Sequence, residues 1–324
     1  MLSAAVVGLG WWGGVLVKSV QGKSDKIRFS KAVVRDPAKA RDLAAGAGLA
    51  LTTSLAEVLE DRAIDAIVLA VPHTLHHDLI LQATRAGKHV FVEKPLALTR
   101  AHAESAVEAC RAAGVTLGVG FNRRYAPAVR ELVRRIQAGE IGEILHLEGQ
   151  QSVPLGFGLK PGNWRALRGE TPGGAMTLLG IHTLDSMIFA AGLVNSVHAT
   201  SERRKTAAEV DDTTTLHLRF AGGATGFLAS LSVTPEFRRL HVFGTKGWIE
   251  LRSDHEITVK AIEGPPATYR YPEADKERGV LEGFADAVAA RASFAIPADE
   301  LVNGIAVLEA IGASAVSGQA VAIG

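Results

Sequence analysis

The chain has 324 residues, 47% of them hydrophobic and 21% charged, with 35 Lys and Arg against 34 Asp and Glu. That length accommodates two domains, and the near-neutral balance excludes a nucleic-acid or anionic-lipid partner recognised through a basic field. Cys110 is the single cysteine, so no intramolecular disulfide forms and a reducing compartment is expected.

The first ten residues, MLSAAVVGLG, lack the basic n-region and long apolar h-region of a signal peptide and read as a strand that begins the fold. No run of about 18 uninterrupted apolar residues is present. The richest stretch, 173–194, carries His182 and Asp185. The expectation is a cytoplasmic protein without a membrane span.

Apolar runs and breakers in the first 120 residues alternate between strand and helix. Strands are predicted over 4–8, 27–34, 66–71, 89–92 and 117–120. Helices are predicted over 13 to about 20, 38–46, 76–86 and 99–113, with a helical turn at 57–60. Gly87 and Gly114 close two of the helices. Nearly continuous apolar strands separated by helices predict a doubly wound parallel sheet, which binds ligands beyond the carboxyl ends of its strands.

Gly8-Leu9-Gly10-Trp11-Trp12-Gly13 follows the first strand and opens a helix, the context a dinucleotide loop requires. The first glycine permits the tight turn, the second lets backbone N–H groups approach a pyrophosphate, and the third lets helix and strand pack closely. A glycine-rich structural turn is the plain alternative. Trp11 and Trp12 either wall the cofactor or cover the end of the sheet. The second strand ends Val34-Arg35-Asp36, with Val34 in the slot where NAD-binding folds place an acid. Arg35 suits adenine stacking or a 2′-phosphate, so the cofactor expected is NAD(P), with NADP favoured. Asp36 reaches the ribose only if its loop bends inward.

Val90-Phe91-Val92-Glu93-Lys94-Pro95 places Lys94 at the carboxyl end of an apolar strand, and a Lys-Pro bond is a usual site for a cis peptide. Together with Gly173-Gly174, Gly180-Ile181-His182, and Pro72 and His76 with His73 between them, these motifs resemble the Gfo/Idh/MocA oxidoreductase family along nearly the whole chain. Gly120-Phe121-Asn122-Arg123-Arg124-Tyr125, Asp212-Thr213, Phe220-Ala221-Gly222-Gly223 and Gly244-Thr245-Lys246-Gly247 add to the resemblance.

The resemblance implies a Rossmann domain over 1–121 and a C-terminal α/β domain over 122–324, built on a large open, mostly antiparallel sheet. That sheet implies a homodimer or homotetramer. Alternating apolar runs at 213–220, 225–231, 240–243 and 248–251, with helices at 127–138, 285–292 and 301–316, support the second domain independently. The implied cofactor contacts are Gly8, Gly10, Trp11, Trp12, Gly13, Arg35, Pro72, His73, His76, Glu93 and Lys94.

In the family, a Lys acts with an Asp and a His four residues apart on a helix. His182 fills the histidine position, whereas Leu178 stands where the Asp is expected. Asp185 offers a carboxylate three residues on that could orient the imidazole. The implied catalytic pair is therefore Lys94 and His182, His182 as general base and Lys94 as stabiliser of the developing alkoxide or as proton carrier itself. Arg123, Tyr125, Trp164 and Arg165 are further substrate candidates, in loops where such contacts concentrate. A zinc site through His73 and His77 is the competing reading of the His73-His76-His77-Asp78 cluster, but no matching Cys or carboxylate group accompanies it, so no metal is expected.

The reading is hydride exchange with a secondary alcohol or ketone of a sugar, polyol, inositol-like ring or cyclic dihydrodiol. The alternative is a dinucleotide-binding sensor of the same fold, which the loss of a carboxylate at Leu178 keeps open.

Overall fold

A computed structural model describes residues 1–160 and 162–324. In chain order, the first strands and helices are β1 Leu2–Val7, α1 Trp11–Val20, β2 Ile27–Val33, α2 Pro37–Ala47, β3 Ala50–Thr52, α3 Leu55–Glu60, β4 Ala66–Leu69, α4 His76–Arg85, β5 His89–Val92, α5 Arg100–Ala112 and β6 Leu117–Val119. The six strands form a parallel sheet in the order β3-β2-β1-β4-β5-β6. Every residue of β4 is buried, as expected for a strand covered on both faces.

Each boundary in this region has a local cause. Helix α1 begins at Trp11, two residues before the predicted start, because Gly10 in extended conformation serves as its N-cap. Asp36 caps α2 by accepting from the Ala38 N–H. Gly87 and Gly114, at φ +69° and +66°, follow α4 and α5 in the left-handed conformation that stops a helix. Strand β3 has only three residues and, without a longer alternating pattern, was not legible from periodicity.

The chain continues through α6 Pro127–Gln137, β7 Ile144–Ser152, α7 Ile181–Ala191, β8 Val194–Glu202, β9 Thr213–Phe220, β10 Thr225–Leu231, β11 Phe237–Gly244, β12 Gly247–Ser253, β13 Glu256–Ala261 and β14 Ala267–Arg270. It ends with α8 Lys276–Ala289, α9 Ala298–Ser317 and β15 Val321–Ala322. A nine-stranded sheet runs β14-β13-β12-β11-β7-β10-β9-β8-β15, antiparallel throughout except for the β7–β10 pair.

Two compact units result. The first comprises residues 1–97, 101–122 and 275–298; the second comprises 98–100, 123–274 and 299–324. Helix α8 belongs to the first unit, where Phe284 meets Phe91 of β5 edge-on at 5.7 Å and both rings are fully buried. In the second unit α9 buries Leu301, Ile305, Leu308 and Ile311. By length and composition α9 is the one described helix long and apolar enough to cross a membrane. Its buried stripe is also what a core helix of a globular unit shows.

Candidate functional site

Within the first unit, the glycine loop, residue 73 and Lys94 follow β1, β4 and β5 respectively. These are three neighbouring parallel strands, so the three segments line one carboxyl edge of the sheet. At about 4.8 Å per strand, the loop after β1 and Lys94 after β5 stand on the order of 10 Å apart across that edge.

The glycines fit a dinucleotide. Gly8 has φ +94°, a conformation that disfavours any side chain, and a Cβ there would lie 2.4 Å from the Ala70 carbonyl oxygen. A Cβ on Gly13 would lie 2.1 Å from the Gly8 carbonyl oxygen, so α1 packs on the loop only through glycine. A Cβ on Gly10 would meet nothing within 4 Å, and no side chain caps the helix there. The N-terminus of α1 therefore presents its backbone donors on an open face, which suits a pyrophosphate.

Trp11 is 78% exposed and tilts against Trp12, with ring centroids 5.4 Å apart. The Trp12 side chain lies near the buried Glu93 carboxyl, and its buried indole N–H makes no hydrogen bond among the described residues. Burial pushes Glu93 up to about 7, while Trp12 and Lys94 oppose that shift and Glu277 adds to it. Gly120 makes room for this group, since a Cβ there would fall 2.7 Å from the carboxyl atoms. Glu93 is thus set among Trp12, Gly120 and the Lys94 backbone N–H, 3.3 Å from its Oε2. The Lys94–Pro95 peptide is cis.

His76 is fully buried, and both ring nitrogens face backbone carbonyls: Nδ1 that of Pro95 at 2.8 Å and Nε2 that of Val71 at 3.2 Å. The ring ties the loop after β4 to the loop carrying Lys94. His73, also buried, meets His76 edge-on at 5.6 Å. His77 turns elsewhere, stacking on His102 at 4.2 Å and approaching Ser105 Oγ at 3.1 Å. No group of three or more His, Cys, Asp or Glu among the described residues is arranged to hold a metal.

Arg35 is exposed and follows the buried Val34. Asp36 does not reach inward: its carboxylate caps α2 and pairs with Lys39 at 3.5 Å.

Within the second unit, His182 lies in the first turn of α7 and is 7% exposed. The turn before it, Met176–Gly180, is π-helical. An extra residue per turn breaks the simple i, i+4 alignment that a continuous α-helix would give Leu178 and His182. Leu178 packs in an apolar cluster with Leu159, Ala166, Ala208 and Val210. An anionic carboxylate at this position would be desolvated among apolar neighbours.

Asp185 does not serve the imidazole as expected. Its two oxygens accept three hydrogen bonds from Arg124, at 2.7 to 3.0 Å. Arg124 Nη1 also pairs with Glu300 at 2.6 Å, and Phe189 lies 4.5 Å beneath the guanidinium carbon. Arg123 Nη1 donates to Gln151 Oε1 at 2.6 Å. Tyr125 stacks under Arg130 at 4.6 Å and Trp164 under Arg165 at 4.1 Å. Gln151 and Arg124 belong to these clusters, yet neither was a sequence candidate for a site. They meet their partners across 28 and 61 positions, and no local motif marks them.

Residues 2–121 match the family model described as the oxidoreductase family with an NAD-binding Rossmann fold, and residues 129–250 match the GFO/IDH/MocA C-terminal domain. The chain is 32% identical over 222 residues to scyllo-inositol 2-dehydrogenase (NAD(+)) of Bacillus subtilis, which covers 64% of this chain and 61% of that protein. The match thus spans less than two thirds of that relative's length. It is 26% identical over 318 residues to D-xylose 1-dehydrogenase (NADP(+)) 2 of Haloferax volcanii, covering 95% and 96% of the two chains. A crystal structure of a putative NADPH-dependent oxidoreductase from Desulfitobacterium hafniense superposes with TM-score 0.92 at 25% identity, over 99% of this chain and 97% of that one.

Proposed function

The chain belongs to the GFO/IDH/MocA oxidoreductase family, and from that premise we propose that it is an NAD(P)-dependent dehydrogenase or reductase acting on a secondary alcohol or ketone of a sugar, polyol, inositol-like ring or cyclic dihydrodiol. The observation that carries the reading is the shared carboxyl edge of β1, β4 and β5, where the bare glycine loop and Lys94 stand together. The nicotinamide, when bound, supplies the hydride acceptor or donor.

The protein's own groups do the rest. Gly8, Gly10 and Gly13 let the backbone approach the pyrophosphate. Trp11, Trp12, Pro72 and His73 border the dinucleotide. Glu93 and His76 act from behind, fixing the loop that bears Lys94. The Lys94 ammonium holds the substrate oxygen and stabilises the alkoxide that develops as hydride leaves the carbon. His182 takes the hydroxyl proton as general base. Arg123, Tyr125, Trp164 and Arg165 orient the substrate.

Arg35 is the residue that favours NADP, because Asp36, the nearest carboxylate in sequence, is committed to the start of α2. The named relatives include one NAD and one NADP enzyme. A homodimer or homotetramer through the nine-stranded sheet and a cytoplasmic location complete the proposal. The second reading, a dinucleotide-binding sensor, is favoured by one observation, the apolar packing of Leu178 one turn before His182.

Titration with NADH and NADPH, followed by a turnover screen over neutral sugars, polyols, inositols and dihydrodiols in both directions, separates these readings. Binding with turnover supports the dehydrogenase; binding with none supports the sensor. Absence of dinucleotide binding rejects both.

A further inference from the structure

The strands β10, β7 and β11 bring three side chains into register: Ser230, Gln151 and Arg238. Gln151 is 2% exposed, and its Oε1 accepts from Arg123. Residues two apart on a strand share a face, so Gln151 lies on the face of Gly149, where a Cβ would meet the Thr183 methyl at 2.9 Å. A Cβ on Gly180 would fall 2.7 Å from Ser230 Cβ. Gln151 and Ser230 therefore sit beneath the start of α7, the turn that carries His182.

Charge in this cluster is unevenly matched. Arg238 pairs with Asp254, whereas the hydrogen-bond acceptor of Arg123 is a neutral amide. Burial pushes the Arg123 guanidinium down to about 9, and Arg238 pushes in the same direction while Asp254, Glu236 and Asp185 oppose it. Glu236 is exposed, and Asp185 is held by Arg124. Arg123 still carries its charge at neutral pH, desolvated and facing a second cation.

A cation held in that way is costly to a protein unless an anion completes it. Gln151, by accepting from Arg123, turns its amide N–H groups away from it as further donors. A planar guanidinium with an adjacent amide donor matches a carboxylate, which accepts bidentately.

Resting on the dehydrogenase reading, we propose that Arg123, Gln151 and Arg238 form an anion subsite for the carboxylate of the substrate, so that the substrate is an acidic sugar or polyhydroxy acid rather than a neutral polyol. Arg123 and Gln151 contact the carboxylate, and Arg238 adds long-range attraction.

The test is calorimetric titration of the protein saturated with NADH or NADPH. The probes are D-glucuronate, D-galacturonate and D-gluconate, their neutral counterparts D-glucose, D-galactose and D-glucitol, and D-glucose 6-phosphate. Wild type should bind at least one acid about tenfold or more tightly than its neutral counterpart. Arg123→Gln should abolish that preference, and Arg123→Lys should keep part of it. Arg238→Gln, whose thermal transition is compared with wild type, should weaken it and serves if Arg123→Gln does not fold.

Failure to bind either dinucleotide overturns the dehydrogenase reading itself. Four results with dinucleotide bound overturn this inference alone: tighter binding of neutral sugars, no acid bound, acid binding unchanged in the variants, or Arg123-dependent binding of glucose 6-phosphate only.

Discussion

Arg124 grips the Asp185 carboxylate with two of its nitrogens, Nε reaching both oxygens at 3.0 Å and Nη2 reaching Oδ1 at 2.7 Å. Both side chains are nearly inaccessible to solvent, at 4% and 7%. The pair fixes the 3-10 turn at Asn122–Tyr125 to α7 one turn beyond His182, and Glu300 closes it from the first turn of α9. Removing one member of such a pair strands the other's charge away from water. Arg124→Ala should therefore cost about 3 kcal/mol in stability, read as a lowered midpoint in denaturant unfolding. A change within the noise would mean that the pair holds nothing.

Gly13→Ala should abolish dinucleotide binding or weaken it by more than about tenfold, because the added methyl falls on the Gly8 carbonyl and forces α1 off the loop. Gly10→Ala, whose Cβ meets open space, should fold normally and weaken binding only by crowding the ligand. Fluorescence titration with NADH and NADPH compares the two.

Glu93 should make stability fall as pH rises. Its carboxyl is raised from the ordinary value of 4.5 to about 7, so the folded protein holds a proton that the unfolded chain has already released. The contribution is fully present below pH 4.5 and is lost as pH climbs to about 7. Glu93→Gln, permanently neutral, should flatten the stability profile across that window. An unchanged slope would show that Glu93 does not titrate there.

Leu178→Ala should cost about 2–4 kcal/mol by opening a cavity among Leu159, Ala166, Ala208 and Val210. Leu178→Asp should destabilise more, by burying a carboxylate without a partner. Urea unfolding of both variants checks the order. If Leu178→Asp is tolerated and raises turnover, the position belongs to catalysis rather than to packing.

The limits of the sequence reading have physical causes at particular residues. Strands β9 and β10 were legible to the residue because β9 alternates cleanly, β10 carries an apolar run, and the Gly222-Gly223 turn separates them. Strand β7 was not, since Glu148, Gln150 and Gln151 interrupt its pattern and Gly149 replaces an inward side chain where Met187 and Thr183 press close. Helix α8 starts at Lys276, nine residues before the predicted start, because Asp275 caps it and its first turns are polar. Of the candidate residues, the glycine loop and Lys94 stand out in sequence because their motifs are local. The partner of Asp185 was not, since Arg124 lies 61 positions away. The π-helical turn before His182 leaves no mark in composition, so the sequence shows Leu178 four residues before His182 but not the widened turn between them.

The proposed activity is hydride transfer with Lys94 at the reacting oxygen. The most direct measurement is absorbance of the reduced nicotinamide during turnover by wild type and Lys94→Ala, with both cofactors and with neutral and acidic sugars as substrates. Wild type should turn over, and the rate should fall at least about a hundredfold in Lys94→Ala, with dinucleotide binding retained. Equal rates in the two proteins, or tight dinucleotide binding with no turnover on any substrate in either direction, would contradict it.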